Sequence, residues 1–436
     1  MATRPARWAI VVGIIGIVLL AGAALWRFVA EPALVKYPTD LEGDAHAEGT
    51  VTFFLDPATK EPLDPPREVS LVIDRHLEVD GDESDGDVAV VDEIDAQQID
   101  GEPSELRQRY VIDRSTLENV ADDRAFAYDE ANVTDRSPEY AINLPFDTGD
   151  GPYDIWKNGT GQPYEFNATD TYEVDGVELQ AFEGSADDVP AIDAYVAALE
   201  PQGVPTELTL DELRPILAGA GLDLDALLGA LLPQLAADDV TALLAIAEEP
   251  VPLDYYVSVE TRFGVEPRTG AIVDLSSISQ TVGARPDSAA IEPIAAILER
   301  YPQVPEAVGA IETLSGFATG PPIPVFASEY AQTEESRSET VETANDLAGQ
   351  ITLAKQTIPI GLLVAGIIAV LIGLIGFFMT RSRGGSDKPT EAPAPTEPTP
   401  TEPEPTEPAE PAPPSKPAEP AEPAPPSKPA EPSGPA

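Results

Sequence analysis

The chain has 436 residues, 42% of them hydrophobic, and a formal net charge of −52. It has no cysteine, which excludes disulfides, thiolate metal sites and a cysteine nucleophile. Residues 1–36 carry +3 and residues 381–436 carry −5, so −50 lies between them. Such a charge repels nucleic acid and anionic lipid headgroups, and favours cations, basic partners or a salty medium.

The first apolar segment, residues 8–26, runs from Trp8 to Trp26 without an ionisable side chain. It is long enough to cross a bilayer, and tryptophan at both ends is typical of the two membrane interfaces. The alternative is a cleaved signal peptide, supported by Arg4, Arg7 and the small residues 21–23. The length and the flanking Trp26 favour a retained transmembrane helix.

Residues 27–327 are predicted to form one extracytoplasmic domain with an antiparallel, β-rich fold. Short β-branched and aromatic runs alternate there with Asp, Gly and Pro clusters, which is typical of strands and turns. The predicted strands lie at 50–55, 69–73, 88–91 and 107–112.

One acidic turn, residues 80–87, is the only candidate for a metal site. Asp80, Asp82 and Ser84 stand at positions one, three and five, as oxygen ligands do in a calcium loop. The sixth position, however, is Asp85 and the twelfth is Val91, where such a loop has Gly and Glu. The sequence therefore favours a plain acidic hairpin turn, with no cofactor.

Residues 187–248 change to a helical period and are predicted to be an insertion in the β-rich domain. Thr209 and Glu212 form a capping box, the signature of a helix start. The apolar positions either pack against the sheet or cap an apolar ligand groove or a lipid-facing surface. The candidate groove residues are Leu213, Leu217, Leu224, Leu228 and Leu231.

The second apolar segment, Ile358 to Met379, also lacks ionisable side chains. Residues 328–357 are predicted to form a juxtamembrane helix, followed by a transmembrane helix at 358–380. Residues 381–436 are mostly Pro, Glu, Ala and Thr, with an exact twelve-residue repeat, and predict a disordered tail.

Orientation follows from the arginines beside the two helices. Arg4 and Arg7 precede the first helix, and Arg381 and Arg383 follow the second. Positive flanks stay on the cytoplasmic side, so residues 1–7 and the tail are expected in the cytoplasm of a two-pass plasma-membrane protein. Trp8, Trp26, Arg381 and Arg383 are then interface residues.

Several hairpin motifs can be read directly. Asp175-Gly176 between apolar runs predicts a two-residue turn, and Trp156, in a run ending at Asn158-Gly159, predicts a core anchor. Glu266-Pro267-Arg268-Thr269-Gly270 predicts a four-residue hairpin loop, with Pro267 setting φ and Gly270 taking positive φ.

With the two terminal apolar helices, these motifs resemble the actinobacterial porin PorA family. The resemblance covers most of residues 1–380 as architecture, and the stretch around Glu266–Gly270 is its most specific part. It implies an extracytoplasmic β-rich domain held in the membrane at both ends, and a role in envelope transport. It implies no catalytic residues.

Two functions remain open from sequence. The favoured interpretation is a non-enzymatic envelope protein, an α+β membrane protein whose outer domain binds a lipid, glycan or protein partner. The alternative is an oligomeric, cation-preferring channel. Two apolar helices cannot enclose an aqueous pore within one copy, so the channel requires a homo-oligomer.

Overall fold

The computed structural model describes residues 7–382. Within this range, thirteen strands form one antiparallel sheet in the order β6-β5-β4-β3-β2-β1-β13-β12-β11-β9-β8-β7, and β10 pairs with β11 alone. The strands are β1 (Glu42–Leu55), β2 (Pro62–Val79), β3 (Val88–Ile99), β4 (Glu102–Asp113), β5 (Phe126–Ala127), β6 (Asp129–Val133), β7 (Tyr153–Lys157), β8 (Gln162–Val174), β9 (Val177–Pro190), β10 (Glu207–Leu208), β11 (Val251–Glu266), β12 (Ala271–Pro286) and β13 (Ile323–Gln332).

The sheet curls so that strands far apart in this order face one interior. Asn158, directly after β7, donates from Nδ2 to the hydroxyl of Tyr110 on β4 at 2.9 Å. Three fully buried phenylalanines, Phe166, Phe182 and Phe263, pack between β8, β9 and β11 in the same interior. The prediction of an antiparallel β-rich fold with helices is confirmed.

Helices occupy both ends of the described range and two connections of the sheet. They are α1 (Arg7–Leu25), α2 (Glu31–Leu34), α3 (Asp193–Leu199), α4 (Leu210–Gly219), α5 (Leu224–Leu231), α6 (Ala237–Glu248), α7 (Ser288–Leu298), α8 (Pro305–Thr319), α9 (Glu334–Thr352) and α10 (Ile358–Ser382). Helices α4–α6 pack mainly on α7 and α8, which lie between β12 and β13, in one apolar cluster. The predicted capping box at Thr209 is confirmed.

Two predicted helical boundaries and the predicted strand lengths differ from the structure. The helical insertion begins at Asp193 and not at 187, because Val189 and Pro190 still pair with β11. The juxtamembrane helix begins at Glu334 and not at 328, because residues 328–332 pair with β1 and residues 328–330 pair with β12 as well. The strands are also longer than predicted, since polar residues continue the pairing beyond the apolar runs used to find them.

The two apolar helices pack against each other through small residues. Ala9, Gly16 and Ala23, seven residues apart, are the buried positions of α1. A Cβ built on Gly16 would lie 2.6 Å from the backbone nitrogen of Val370, and one built on Gly373 would lie 2.8 Å from the Cα of Gly13. Backbones this close are typical of membrane helix pairs and leave no water-filled path along their contact.

Candidate functional site

The interior of the curled sheet encloses a cavity of about 370 Å³, which we call the sheet cavity. Its wall is contributed by β1–β4, β7, β8 and β11–β13, with α3 closing one side. Its volume lies within the range usual for small-molecule sites, about 300–1,000 Å³. Nine strands of the one sheet contribute to it.

A charged cluster lies on one wall of the sheet cavity. Arg75 Nε donates to Asp95 Oδ1 at 2.8 Å and lies 3.0 Å from Glu93 Oε1. Burial opposes the charge of Arg75, but the two carboxylates raise its pKa well above the ordinary value. Burial likewise raises the pKa of Glu93, against the opposing effect of Arg75, and Tyr110 donates to Glu93 Oε2 at 2.5 Å. These charges are therefore mutually compensated.

Three polar groups that line the same cavity lack such compensation. Gln108 is 6% exposed, and its Oε1 has no hydrogen-bond partner among the described residues. The buried Nε1 of Trp156 has none either. Lys157, on the same strand as Trp156, stands over the ring of Phe166 at 4.7 Å. Burial, together with the charge of Arg75, lowers the pKa of Lys157 to about 8.

The predicted leucines surround a second enclosure of about 230 Å³, which we call the leucine cavity. The wall also includes residues of α6–α8, such as Ile291 and Leu314, so it is closed by two chain segments that sequence reasoning treated separately. All five predicted groove residues line it: Leu213, Leu217, Leu224, Leu228 and Leu231.

The predicted hairpin loop at Glu266–Gly270 is confirmed, and it holds a neighbouring loop. Glu266 is 1% exposed and accepts from the backbone nitrogen and Oγ1 of Thr269, both at 2.9 Å, and from Arg268 Nε at 2.6 Å. Gly270 has φ +72°, and its carbonyl accepts from the backbone nitrogen of Leu144 at 2.8 Å. A buried carboxylate thus fixes the loop from within.

This loop and the Asp175-Gly176 turn both contact α9. The turn has two residues, as predicted, and both have positive φ. Asp175 Oδ2 accepts from Ser338 Oγ at 2.6 Å. Arg268 Nη2 donates to Asn345 Oδ1 at 3.2 Å. The two predicted hairpins therefore attach the sheet to a helix that continues without interruption into α10.

Polar contacts join the two apolar helices to each other and to the sheet where α1 ends and α10 begins. Trp26 Nε1 donates to the carbonyl of Ala354 at 2.8 Å, and Lys355 Nζ binds Asp147 Oδ2 at 2.6 Å. A π-helical segment adjoins each helix here: Trp26–Ala30 follows α1, and Leu353–Thr357 precedes α10. The junction thus ties α1 and the sheet's loop to the start of α10.

The other predicted interface residues are placed as follows. Trp8 is 54% exposed in the first turns of α1. Arg381 lies at the end of α10. Arg383 and the Pro-rich tail lie outside the described residues, as do residues 1–6.

Comparison with models of known protein families shows which family this chain belongs to. The family model Porin PorA matches residues 8–375, which include almost all of α1, the whole sheet and α10 as far as residue 375. The chain belongs to the Porin PorA family. No curated protein matches it.

Membership in the PorA family bears on the two functions considered from sequence. With the two apolar helices, it supports an integral membrane protein. The porin description favours the alternative, a channel-like protein, over the interpretation as a partner-binding envelope protein.

One feature of this PorA chain was missed by sequence reasoning: an acidic stripe on α9. Four exposed carboxylates, spaced four, three and four residues apart, lie on one helix face. The opposite face is buried, with Val341, Ala344 and Ala348 against the sheet. Helical spacing of the acids could have revealed the stripe: Glu335, Glu339, Glu342 and Asp346.

The acidic turn at residues 80–87 is organised by its own hydrogen bonds. Asp80 Oδ1 accepts from the backbone nitrogens of Asp82 and Glu83, both at 3.1 Å, and Ser84 Oγ donates to the carbonyl of Asp80 at 2.6 Å. Asp80 also lies 3.5 Å from Arg109. In residues 7–382, no group of three or more His, Cys, Asp or Glu is placed to hold a metal ion.

The two histidines form reciprocal pairs across β1 and β2. His46 Nδ1 lies 2.7 Å from Asp74 Oδ1, and His76 Nδ1 lies 2.7 Å from Asp44 Oδ1. The antiparallel register sets His46 opposite Asp74 and Asp44 opposite His76. The hydrogen bond to its aspartate raises the pKa of each histidine.

Proposed function

We propose that this protein is a non-enzymatic, porin-like membrane protein whose conducting unit is an oligomer. The observation that carries the proposal is the helix pair within a PorA family member. The backbones of α1 and α10 approach closely at Gly16, Gly366 and Gly373, which leaves no space for water between the two helices of one copy. The outward faces of both helices are apolar, and they are the surfaces available to lipid or to further copies.

The first helix is retained in this proposal, and both termini are cytoplasmic. Retention is supported by the close packing of α1 on α10 and by the bond from Trp26 to Ala354. Orientation is supported by the arginines that flank the outer ends of the two helices. The domain between them is then extracytoplasmic.

Cation preference is supported by the acidic stripe. Its carboxylates stand on the helix that leads directly into α10, so they lie on the approach to the membrane segment. The region between the two spans carries −50 in total, which adds a broader field of the same sign. Rings or rows of carboxylates concentrate cations at a pore entrance, and salt screens this effect.

Planar-bilayer recording of the purified full chain tests the proposal. We expect discrete conductance, with a reversal potential in a KCl gradient that favours K⁺ over Cl⁻ and a preference that weakens at high salt. Neutralising the stripe by E335Q, E339Q, E342Q and D346N should reduce the cation preference.

A matched control neutralises four other exposed acids, which lie at or near the β1–β2 and β3–β4 connections. The substitutions are E61Q, D100N, E102Q and E105Q. This variant should keep the preference of the unmodified chain. Absence of conductance from pure protein contradicts the channel, and equal loss in both variants contradicts the role of the stripe.

The leucine cavity favours a second function, binding of an apolar ligand such as an acyl chain. Its lining is almost wholly aliphatic, and an enclosed apolar cavity of about 150 Å³ already binds benzene in a model protein. Leu228 and Leu232, which line it, are 37% and 52% exposed, so the cavity reaches the surface.

Mass spectrometry of lipid retained by the purified chain tests this second function. Leu228→Trp should reduce the retained lipid by filling the mouth of the leucine cavity. Val308→Trp, on α8 but away from the cavity wall, is the matched control because Val308 is 45% exposed. Lipid-free protein, or equal retention by the two variants, contradicts a site in this cavity.

A further inference from the structure

The sheet cavity has chemistry that neither conduction nor acyl-chain binding uses. We propose that it binds a small neutral saccharide, one or two sugar rings in size. This inference is independent of the channel proposal, because it concerns the interior of the sheet and not the helix pair or the acidic stripe.

The uncompensated polar groups define what a ligand must supply. Gln108 Oε1 is an acceptor without a partner and requires a donor, whereas Trp156 Nε1 is a donor without a partner and requires an acceptor. Lys157, which also lines the cavity, adds a donor that has no ion pair among the described residues. A hydroxyl group does both at once. A ligand with several hydroxyls therefore satisfies all three groups, and leaving a buried polar group unpaired costs about 1–3 kcal/mol.

Charge balance in the sheet cavity favours a neutral ligand. Arg75 is already paired with Asp95 and Glu93, so the cluster offers no free cation. Lys157 has no ion pair among the described residues, but an anion drawn to it would also face the two carboxylates. A cation would face both Arg75 and Lys157.

Aromatic surfaces complete the fit. The rings of Tyr128 and Tyr195 lie 5.2 Å apart in the cavity wall, and Trp156 and Tyr330 add further ring surface. Gln280 Nε2 donates to the hydroxyl of Tyr195 at 2.6 Å, which fixes that ring. Apolar rings with a few convergent polar groups are the usual composition of a small-molecule site, and the C–H faces of a sugar can pack on them.

Tryptophan fluorescence of the full chain in detergent tests the proposal. The protein has three tryptophans, so Trp8→Phe and Trp26→Phe leave Trp156 as the only reporter. We expect a saturable change in its emission with at least one of glucose, galactose, maltose and lactose. Glucuronate, the charged counterpart of glucose, should bind more weakly than glucose.

Two variants and one control locate the binding. Gln108→Leu and Lys157→Met should each weaken the affinity by about tenfold, the usual effect of losing one hydrogen bond in a buried site. Lys60→Met should not, since Lys60 pairs with Glu212 at the surface, 3.2 Å away. Thermal unfolding of each variant shows whether the fold is kept.

The outcomes separate the alternatives. The proposal is overturned if the emission of Trp156 shows no saturable change with any of the four sugars when the cavity residues are unmodified. This measurement does not depend on the folding of a cavity variant. Tighter binding of glucuronate than of glucose overturns the neutral class. An affinity unchanged in both Gln108→Leu and Lys157→Met places the binding elsewhere and overturns the site.

Discussion

Arg268 links a buried carboxylate to α9: its Nε donates to Glu266 Oε1 at 2.6 Å, and its Nη2 donates to Asn345 Oδ1 at 3.2 Å. Arg268→Ala removes both contacts and leaves Glu266 with only Thr269 as a donor. We expect a loss of about 1–2 kcal/mol in unfolding free energy, measured by denaturant titration, because Arg268 is itself partly exposed. Asn345→Ala should cost less, and equal losses would show that Glu266 does not depend on the arginine.

Gly270→Ala should be strongly destabilising. Gly270 has φ +72°, and a Cβ there would lie 1.9 Å from the carbonyl oxygen of Leu144. We expect strain and clash together to cost about 2–4 kcal/mol, measured as a fall in thermal stability. Gly176→Ala is the control, because its φ is +84° but its Cβ would meet nothing within 4 Å. It should cost only about 1 kcal/mol, and a similar loss in both would refute the clash.

Stability should depend on pH through His46 and His76. Each pKa is raised in the folded state by the hydrogen bond to Asp74 or Asp44, so the stabilisation is fully present below about pH 6.5. It is lost as the pH rises through the folded pKa. The double variant H46Q/H76Q should therefore fall below the unmodified chain in melting temperature at mildly acidic pH and approach it at alkaline pH. A constant difference across the range would contradict this assignment.

The contact between α1 and α10 can be tested with engineered cysteines, since the chain has none of its own. A Cβ built on Gly376 lies 3.0 Å from the Cβ of Ala9. The double variant A9C/G376C should form an intramolecular disulfide in membranes under mild oxidation, read as a reducible link after proteolysis between the helices. The two single variants are controls. A mature chain starting near Ala23, with no link, would show that α1 is removed as a signal peptide.

Local signals explain what the sequence could predict. The Asp175-Gly176 turn and the Glu266–Gly270 loop depend on the φ preferences of a few adjacent residues, and both are confirmed. The apolar helices depend only on composition over some twenty residues. By contrast, Arg75 and Lys157 meet at one cavity because the sheet curls, and nothing local in either strand encodes that curvature.

The leucine cavity likewise depends on contacts between distant segments, which local sequence does not predict. The periodicity of residues 210–231 predicted an apolar helix face, yet its main neighbours are α7 and α8, some sixty residues further along the chain. Long-range packing of this kind depends on the topology of the sheet, which brings the connection after β12 beside the connection before β11. The start of the helical insertion was predicted too early for a related reason: Val189 pairs with β11, and this pairing outweighs its local helical propensity.

The helix that includes α9 and α10 runs unbroken over the 46 residues Glu334–Met379, a rod of roughly 70 Å. Thr340 binds the carbonyl of Val273 at 2.7 Å, so the upper part of this rod is fixed to the sheet. Because the helix is continuous, we expect a rotation of the sheet to rotate α10 as well, by less if the π-helical segment at Leu353–Thr357 deforms. The orientations of the sheet and of α10 are therefore coupled through this one helix.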